Sequence, residues 1–133
     1  MKTYWDSSAL VAATLDGDIR ARLTVGSRDA VTRAHSLAEV FSTLTGSRLG
    51  FRVEADDAVM VIDDLLEDLD VVEVSTNEVM DALRAARSKG VRGGQVHDYL
   101  HAVAARKENC DVLVTLNRSD FEGLFDDLTI EGL

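Results

Sequence analysis

Residues 111–115 read DVLVT, a short apolar run that is rich in β-branched side chains. Runs of this type form strands that are covered on both faces, as in a parallel sheet. The run VVEV at residues 71–74 has the same character. Segments with helical periodicity lie between such runs and suit crossover connections, so the chain predicts an α/β fold with a parallel sheet.

Strand and helix signals alternate along the rest of the chain. The patterns predict strands near residues 2–5, 30–33, 71–74, 111–115 and 127–130. They predict helices near residues 7–15, 36–47, 54–69, 76–89 and 95–108. The 133 residues suffice for one buried core, and no proline linker, repeat or low-complexity tract divides them. We therefore expect a single domain over residues 1–133.

The formal net charge of −10 at pH 7 argues against a general polyanion binder. Much of this acidity is local, because nine acidic residues and no basic residue fall within residues 54–73. The apolar residues of this stretch recur at helical spacing, at Ala58, Ile62, Leu65 and Leu69. We interpret the stretch as an amphipathic helix with a solvated acidic face, and a docking face for a basic partner is the alternative.

The chain carries no sign of export or of membrane insertion. No apolar run approaches the roughly 20 residues that span a bilayer, and the opening MKTYWDSS lacks the pattern of a signal peptide. We expect a cytoplasmic protein. Cys110 is the only cysteine, so no internal disulfide can form, and its place before DVLVT predicts a core residue rather than a reactive thiol.

Carboxylates or their amides stand where strands end or helices begin. They are Asp6, Glu39, Asp98, Asn117 and Asp120. In an α/β fold such positions converge on one pocket. Carboxylates that cannot neutralise one another must raise their pKa values or hold a cation, and hard oxygen ligands suit Mg²⁺ or Mn²⁺. The sequence therefore predicts a site that depends on a divalent metal.

Each of these positions also has a purely structural interpretation. Asp6 would cap the helix that follows it. Asp98 falls in the first turn of a helix, where the helix dipole favours a negative charge. Asn117 would cap a short turn that includes Asp120. Caps occur at helix starts anywhere in a fold, so their concurrence at predicted strand ends favours a site.

Glu39 has the strongest structural interpretation. It stands three residues after Ser36, which is the spacing of a capping box, in which the Glu side chain returns to the backbone of the cap residue. As a metal ligand, Glu39 would instead turn its carboxylate away from Ser36. Ser75 and Glu78 have the same spacing with no predicted site, and they serve as an internal control.

Two other kinds of site fit less well. His97, Asp98 and His101 in HDYLH imitate the HExxH zinc motif, but Asp replaces the longer Glu that acts there as base. His35, the only other histidine, has no companion ligands. We interpret His97 and His101 as packing or hydrogen-bonding residues beside the acidic pocket, with contact to a substrate phosphate as the alternative. No GxGxxG or GxxxxGKS/T loop is present to cradle a nucleotide.

Four segments carry a family resemblance. They are YWDSSAL at residues 4–10, HSLAEVFSTL at 35–44, HDYLHAVAA at 97–105 and DVLVTLNRSDF at 111–121. In this order and spacing, the chain resembles PIN-domain proteins of the VapC toxin type over nearly its whole length. The resemblance implies about five parallel strands with helices on both faces, and a ribonuclease site that uses Mg²⁺ or Mn²⁺.

The resemblance also implies which residues form that site. It carries over Asp6, Glu39 and Asp98 as the three principal acids, and Asp120 as the last carboxylate. These acids would hold one or two divalent ions that activate a water and stabilise charge on the scissile phosphate.

Three further residues match positions at the family's site. Many relatives have Asp at the position of Asn117. In this chain, Asn117 would bind metal through its side-chain carbonyl oxygen or hold a water bound to the metal. Ser8 and Thr115 match small hydroxyl positions beside the site.

RNA binding requires basic contacts, because backbone electrostatics supplies much of the affinity. The clearest basic run consists of Arg84, Arg87, Lys89 and Arg92. Its ordinary interpretation is a solvated helix end with cations near the negative end of the helix dipole. Secondary candidates are Arg48, Arg52 and Arg118.

Protein partners follow from the resemblance alone, which implies a small antitoxin and a homodimer. Apolar residues that could form a dimer face are Phe41, Phe51, Val59 and Leu66, although we expect them to pack in the core. A second class of function remains open: a catalytically weak or inactive binding module that acts through a protein partner. Asn117 in place of an acid and the charge of −10 favour that alternative.

Overall fold

Five parallel strands form the central sheet of the computed structural model, which describes residues 1–133. The strands are β1 (Thr3–Trp5), β2 (Ala30–Arg33), β3 (Asp70–Val72), β4 (Val112–Thr115) and β5 (Thr129–Gly132). Their order across the sheet is β3-β2-β1-β4-β5. The chain therefore reverses its direction across the sheet between β1 and β4, and open α/β sheets form their sites at the carboxyl ends of strands at such a switch point.

Six α-helices connect and cover the strands. They are α1 (Ser7–Leu15), α2 (Gly17–Val25), α3 (Ala34–Thr45), α4 (Ala55–Leu65), α5 (Thr76–Ala85) and α6 (Gln95–Lys107). Short 3₁₀ turns lie at Ser27–Asp29, Ala86–Lys89 and Arg118–Asp120. None of the helices combines the length and the apolar character that a membrane crossing requires.

Two apolar cores lie on opposite faces of the sheet, because successive strand side chains point to opposite sides. In β1, Trp5 packs with residues of α1, α3 and α4, whereas Tyr4 packs with α6. In β4, Val112 and Val114 join the first core, and Leu113 joins the second. The parallel sheet with helices on both faces is confirmed.

One helix is absent from the sequence-based prediction. The segment at Asp16 and Gly17 has the composition of a turn, yet α2 begins there, capped by the Asp16 carboxylate, which accepts hydrogen bonds from the amides of Asp18 and Ile19 at 2.8 and 3.3 Å. Leu23 is the only buried residue of α2. A helix that buries so little has no apolar stripe to reveal it.

Several element boundaries differ from the prediction by two to four residues. The last strand begins at Thr129 instead of residue 127, and α4 ends at Leu65 instead of residue 69. The most consequential shift is at α3, which begins at Ala34, directly after β2, rather than at residue 36. This shift places Ser36 inside the helix.

The acidic stretch is an amphipathic helix, as predicted. Ala58 and Leu65 of α4 are buried, and its carboxylates face solvent. Arg20 of α2 binds two of the stretch's carboxylates, those of Asp64 at 2.6 Å and Asp68 at 2.8 Å. A basic side chain from elsewhere in the fold therefore offsets part of the local acidity.

The apolar residues considered for a dimer face divide into two groups. Phe41 packs against the core as predicted, and Leu66 is partly buried. The prediction of core packing is wrong for Phe51 and Val59, whose side chains are about half exposed. Cys110 is buried, and burial raises the pKa of its thiol to about 11, which suits a core residue.

Candidate active site

Asp6 directly follows β1 and is buried, with 3% of its surface exposed. Its Oδ1 accepts hydrogen bonds from the Ser8 hydroxyl at 2.7 Å and from the Ala9 amide at 2.9 Å, so the carboxylate caps α1. Its Oδ2 accepts a hydrogen bond from the Thr115 hydroxyl at 2.6 Å. Asp6 therefore caps a helix and also joins the ends of β1 and β4.

The two hydroxyls beside Asp6 connect these elements further. The Oγ atoms of Ser8 and Thr115 lie 3.2 Å apart. Ser8 Oγ accepts from the Leu116 amide at 3.0 Å, and Thr115 Oγ1 accepts from the Asn117 amide at 2.9 Å. The chain after β4 is thus held against the start of α1, at the switch point of the sheet.

Glu39 does not form the capping box that was the structural alternative for Ser36 and Glu39. Arg33 is the N-cap residue of α3, and Ser36 is buried within the helix with no hydrogen-bond partner for its hydroxyl. Glu39 Oε1 lies 3.0 Å from His101 Nε2 and 3.9 Å from an Arg33 nitrogen. Burial by itself would raise the pKa of Glu39, but His101, Arg33 and His35 outweigh it and hold the pKa below its ordinary value.

Asp98 lies in the first turn of α6, as predicted, and is partly buried. Gly93, with φ of +59°, turns the chain just before this helix in a conformation that favours glycine. Burial raises the pKa of Asp98, and the negative charges of Asp120, Asp6 and Glu39 raise it further against the opposing effect of His101. The other three predicted carboxylates therefore lie near enough to Asp98 for their charges to act on it.

Asp120 and Asn117 occupy the turn after β4. Asp120 is exposed in the 3₁₀ turn and lines a cleft with Asp98 and Lys89. Asn117 precedes this turn, but its side chain makes no capping hydrogen bond, so the capping interpretation is wrong. Both residues lie beyond the carboxyl end of β4.

The predicted basic run is not a uniform surface. Lys89 is its one member that lines the cleft with Asp98 and Asp120, and its Nζ lies 4.6 Å above the Phe125 ring. Arg84 pairs with Asp81 at 3.1 Å. Arg87 and Arg92 are exposed and form no ion pair.

The secondary basic candidates also differ in their surroundings. Arg48 lines a second cleft together with His35 and Glu39. Arg118 is engaged with Glu122 at 2.8 Å, and Arg52 is exposed. Arg48 and Lys89 are thus the candidate cations that line clefts with predicted site acids.

The histidines of HDYLH have different environments. His97 is exposed, and its ring lies nearly parallel to that of His35, with centroids 6.3 Å apart. His101 is buried, with Nδ1 2.7 Å from the Tyr4 hydroxyl and Nε2 next to Glu39. Both ring nitrogens of His101 therefore have protein partners, which leaves neither free for zinc. The prediction of a hydrogen-bonding role beside the acids is confirmed for His101.

Two of the residues around Glu39 were not predicted as site residues. Arg33 and Tyr4 are buried next to His101 and belong to β2 and β1. Their partners lie 64 to 97 positions away in the chain. The only local signal was a charged residue at the end of the apolar run before α3, which by itself does not identify a partner.

A family model of the PIN domain matches residues 3–124. The chain belongs to the PIN domain family. This match includes all the candidate acids, from Asp6 to Asp120. Among curated protein sequences, none is significantly similar to the chain.

Three solved structures share the fold of this PIN domain. VapBC2 from Rickettsia felis, bound to a DNA fragment from its promoter, matches at 20% identity with a TM-score of 0.72, over 99% of this chain and 98% of that chain. VapBC from Salmonella typhimurium, bound to DNA, matches at 18% identity with a TM-score of 0.73, over 99% of this chain and 98% of that chain. PAE2754 from Pyrobaculum aerophilum matches at 18% identity with a TM-score of 0.72, over 98% of this chain and 89% of that chain.

The donor set of this PIN domain fits a hard divalent cation in type and in charge. Burial and the neighbouring carboxylates raise the pKa of Asp98, and Glu39 Oε1 is a buried oxygen without an aligned hydrogen-bond donor. No three His, Cys, Asp or Glu side chains are close enough together to hold one ion. Mg²⁺ usually keeps several waters and binds to only one or two carboxylates plus substrate phosphates, so it does not need such a group.

Proposed function

We propose that this PIN domain protein is a divalent-metal-dependent endoribonuclease of the VapC toxin type. The observation that carries the proposal is that Asp98 shares a cleft with Asp120 and lies near enough to Asp6 and Glu39 for all three charges to raise its pKa. Membership of the PIN family and a fold shared with VapBC proteins support it. The reaction would be hydrolysis of an RNA phosphodiester bond.

Asp6 and Asp98 would be the main ligands of Mg²⁺ or Mn²⁺, and Asp120 and Asn117 would bind a second ion or hold the waters bound to the first. The bound ion would supply an activated water and would stabilise charge on the scissile phosphate. Thr115 fixes the orientation of Asp6 through its hydrogen bond to Oδ2. Glu39, held charged by its basic neighbours, would contact the ion or accept a hydrogen bond from the attacking water.

RNA would reach this site past cations at its two sides. Lys89 lines the cleft of Asp98 and Asp120, and Arg48 lines the cleft of Glu39. Arg87 and Arg92 are exposed beyond Lys89 and are free to contact phosphates, whereas the pairing of Arg84 with Asp81 makes it a weaker candidate. Without a bound cation, the acids would repel a phosphate, so RNA binding would depend on metal.

A small antitoxin would be the protein partner, and the active form would be a homodimer. Similar solved structures are VapBC assemblies bound to DNA, which supports the antitoxin. Phe51 and Val59 are exposed apolar side chains that a partner could cover.

The alternative function is a PIN-like binding module without turnover. The observation that favours it is the absence of any three metal-binding side chains placed close together, in addition to Asn117 in place of an acid. In that case the carboxylates would serve to dock a basic partner.

Cleavage of a mixed pool of structured RNAs tests the proposal, with Mg²⁺, Mn²⁺ or a chelator and with Asp98→Ala beside the wild type. We expect cleavage that requires the metal and is lost in the variant. Folded protein, free of bound inhibitor, that cleaves nothing with either ion would favour the binding module. Cleavage that persists in Asp98→Ala would contradict the placement of the site.

A further inference from the structure

Three buried side chains from elements distant in sequence form a connected group beside Glu39, in which Arg33 and His101 approach its carboxylate and Tyr4 contacts His101. Tyr4 and His101 are essentially inaccessible, and Arg33 is 9% exposed. We infer that Arg33, His101 and Tyr4 form a positioning unit, which holds the Glu39 carboxylate toward the acidic site. This inference rests on the proposed function, because it concerns how Glu39 is oriented in that site.

The hydrogen-bond directions around His101 identify its tautomer. Arg33 Nε can only donate, and it points at His101 Nδ1 over 3.4 Å. Nδ1 must therefore be an acceptor, which leaves the 2.7 Å contact with Tyr4 as a hydrogen bond donated by the phenol. In the neutral ring the hydrogen then resides on Nε2.

That nitrogen lies beside Glu39. Nε2 lies 3.0 Å from Glu39 Oε1, and this oxygen is buried without an aligned hydrogen bond from any donor. The imidazole and the guanidinium therefore attract the carboxylate without saturating its lone pairs. Glu39 is held in place and still has acceptor capacity for a water or a cation.

Arg33 also connects the helices that carry two of the acids. Its Nη2 donates to the carbonyl oxygen of His97 at 3.3 Å and lies 3.9 Å from Glu39 Oε1. His97 directly precedes Asp98 in α6, and Glu39 belongs to α3. One guanidinium thus contacts both the backbone beside Asp98 and the side chain of Glu39.

A matched pair of substitutions separates this role from simple packing. His101→Gln places an amide nitrogen near the position of Nε2, whereas the shorter side chain of His101→Asn reaches only the position of Nδ1. Partners that orient metal ligands typically contribute 10–100-fold to metal affinity. We expect Mn²⁺ affinity, measured by calorimetry, to fall roughly 10–100-fold in His101→Asn and to recover largely in His101→Gln.

Two readouts do not depend on cleavage. Nitrogen-15 NMR of the wild type at pH 8 should show hydrogen on Nε2 of His101, and a crystal structure of His101→Asn should show the Glu39 carboxylate displaced. Hydrogen on Nδ1 would overturn the inference, and so would an unmoved Glu39 or equal Mn²⁺ affinity in both folded variants. If His101→Asn does not fold, the wild-type tautomer decides.

Failure of the proposed function is distinguishable from failure of the inference. A wild-type protein that neither binds Mn²⁺ nor cleaves RNA would reject the proposed function. The tautomer and the position of Glu39 would still test the positioning unit. Thermal unfolding of both variants provides the control, because a role in packing alone predicts a change in stability without a selective recovery of Mn²⁺ affinity in His101→Gln.

Discussion

Ser36–Glu39 and Ser75–Glu78 have the same S-x-x-E spacing and follow neighbouring strands, but their side chains behave differently. Ser75 and Glu78 form a complete capping box: the Glu78 amide donates to Ser75 Oγ at 3.2 Å, and the Ser75 amide donates to Glu78 Oε1 at 2.9 Å. Ser36 and Glu39 make neither contact. The same local motif therefore caps one helix and contributes a candidate site acid in the other.

The difference lies in how each strand joins its helix. β2 is an interior strand that runs directly into α3, so Ser36 falls within the helix and is buried. β3 is an edge strand, and Glu73 and Val74 separate it from the Ser75 cap. A cap residue needs extended backbone outside the helix, and only Ser75 has it.

The surroundings of the two glutamates also differ. Glu78 lies at the surface, and hydrogen bonds from Lys107 and Ser75 lower its pKa to about 2. Glu39 lies against buried His101 and Arg33. Glu78 is thus engaged by its own helix start and by Lys107, whereas Glu39 is held by a distant imidazole and keeps acceptor capacity.

Asp6 caps a helix and is also a candidate metal ligand. Its substitution should therefore have the largest effect on RNA cleavage. Asp6→Asn keeps an oxygen that can cap α1 but loses the charge, and Asp6→Ala loses both. We expect each variant to lower the RNA cleavage rate by about 1,000-fold or more. Asp6→Ala should also be less stable than Asp6→Asn by about 1 kcal/mol in urea unfolding. Equal stability of the two variants would show that the cap contributes nothing.

Neutral substitution of Glu39 and of Glu78 should distinguish a residue of the candidate site from a residue that only caps a helix. Glu39→Gln should slow cleavage by about 100-fold, because the charge near the attacking water is lost. Glu78→Gln should leave cleavage unchanged, since Glu78 is engaged with Ser75 and Lys107. Single-turnover cleavage assays measure both. Equal rates in the two variants would remove the distinction between the motifs.

The two serines should differ in their contribution to stability. Ser75→Ala should cost about 1 kcal/mol, the usual effect of losing an N-cap. Ser36→Ala should be neutral or slightly stabilising, because it removes a buried hydroxyl without a hydrogen-bond partner. Urea unfolding at pH 7 gives both values. A loss at Ser36 as large as that at Ser75 would indicate a capping role for Ser36.

The smallest expected effect is a difference in the pH dependence of stability. The pKa of Asp98 is raised, so the folded state binds the Asp98 proton more tightly than the unfolded state does. The charged carboxylate therefore lowers the stability of the fold at pH values above the raised pKa. This loss of stability disappears as the pH falls to the ordinary aspartate pKa of 3.8. Asp98→Asn should therefore stabilise the protein at pH 7 and not at pH 3. Glu78→Gln should destabilise the protein at pH 7. The lowered pKa of Glu78 means that its charged form stabilises the fold above pH 4.5, and this stabilisation is lost as the pH falls toward about 2.

Thermal unfolding across this pH range, without divalent ions, measures both differences. A stabilising effect of Asp98→Asn that is the same at pH 3 and pH 7 would show that electrostatics is not its cause. Addition of Mg²⁺ should stabilise the wild type more than Asp98→Asn, because a ligand that binds only the folded state raises its stability.

Much of the fold follows from local patterns. The apolar β-branched runs and the helical spacing of apolar residues located all five strands and five of the six helices. The missed helix, α2, buries only Leu23, so its sequence has no apolar stripe. Its start at Asp16 and Gly17 has turn composition, so the local sequence does not distinguish a helix cap from a turn.

The candidate acids were found because strand ends are visible in sequence, and in a parallel sheet they lie at one edge. Residue types and order along the chain were enough to place Asp6, Asp98 and Asp120 near one another. The direction of Glu39 was not visible, because Ser36-Leu37-Ala38-Glu39 satisfies the rule for a capping box as well as Ser75 and Glu78 do.

Local sequence specifies interactions within about one helical turn, and these include the Asp6 cap, the Ser75 box and the alternation of strand side chains. Contacts between residues distant in sequence depend on which polar groups are buried, because these groups lose their hydrogen bonds to water and need a protein partner. Arg33 and Tyr4 contact His101 across 68 and 97 positions of sequence. Because a buried polar group is costly unless it finds a partner, the three-dimensional packing of these side chains, and not the spacing of Ser36 and Glu39, determines where Glu39 points.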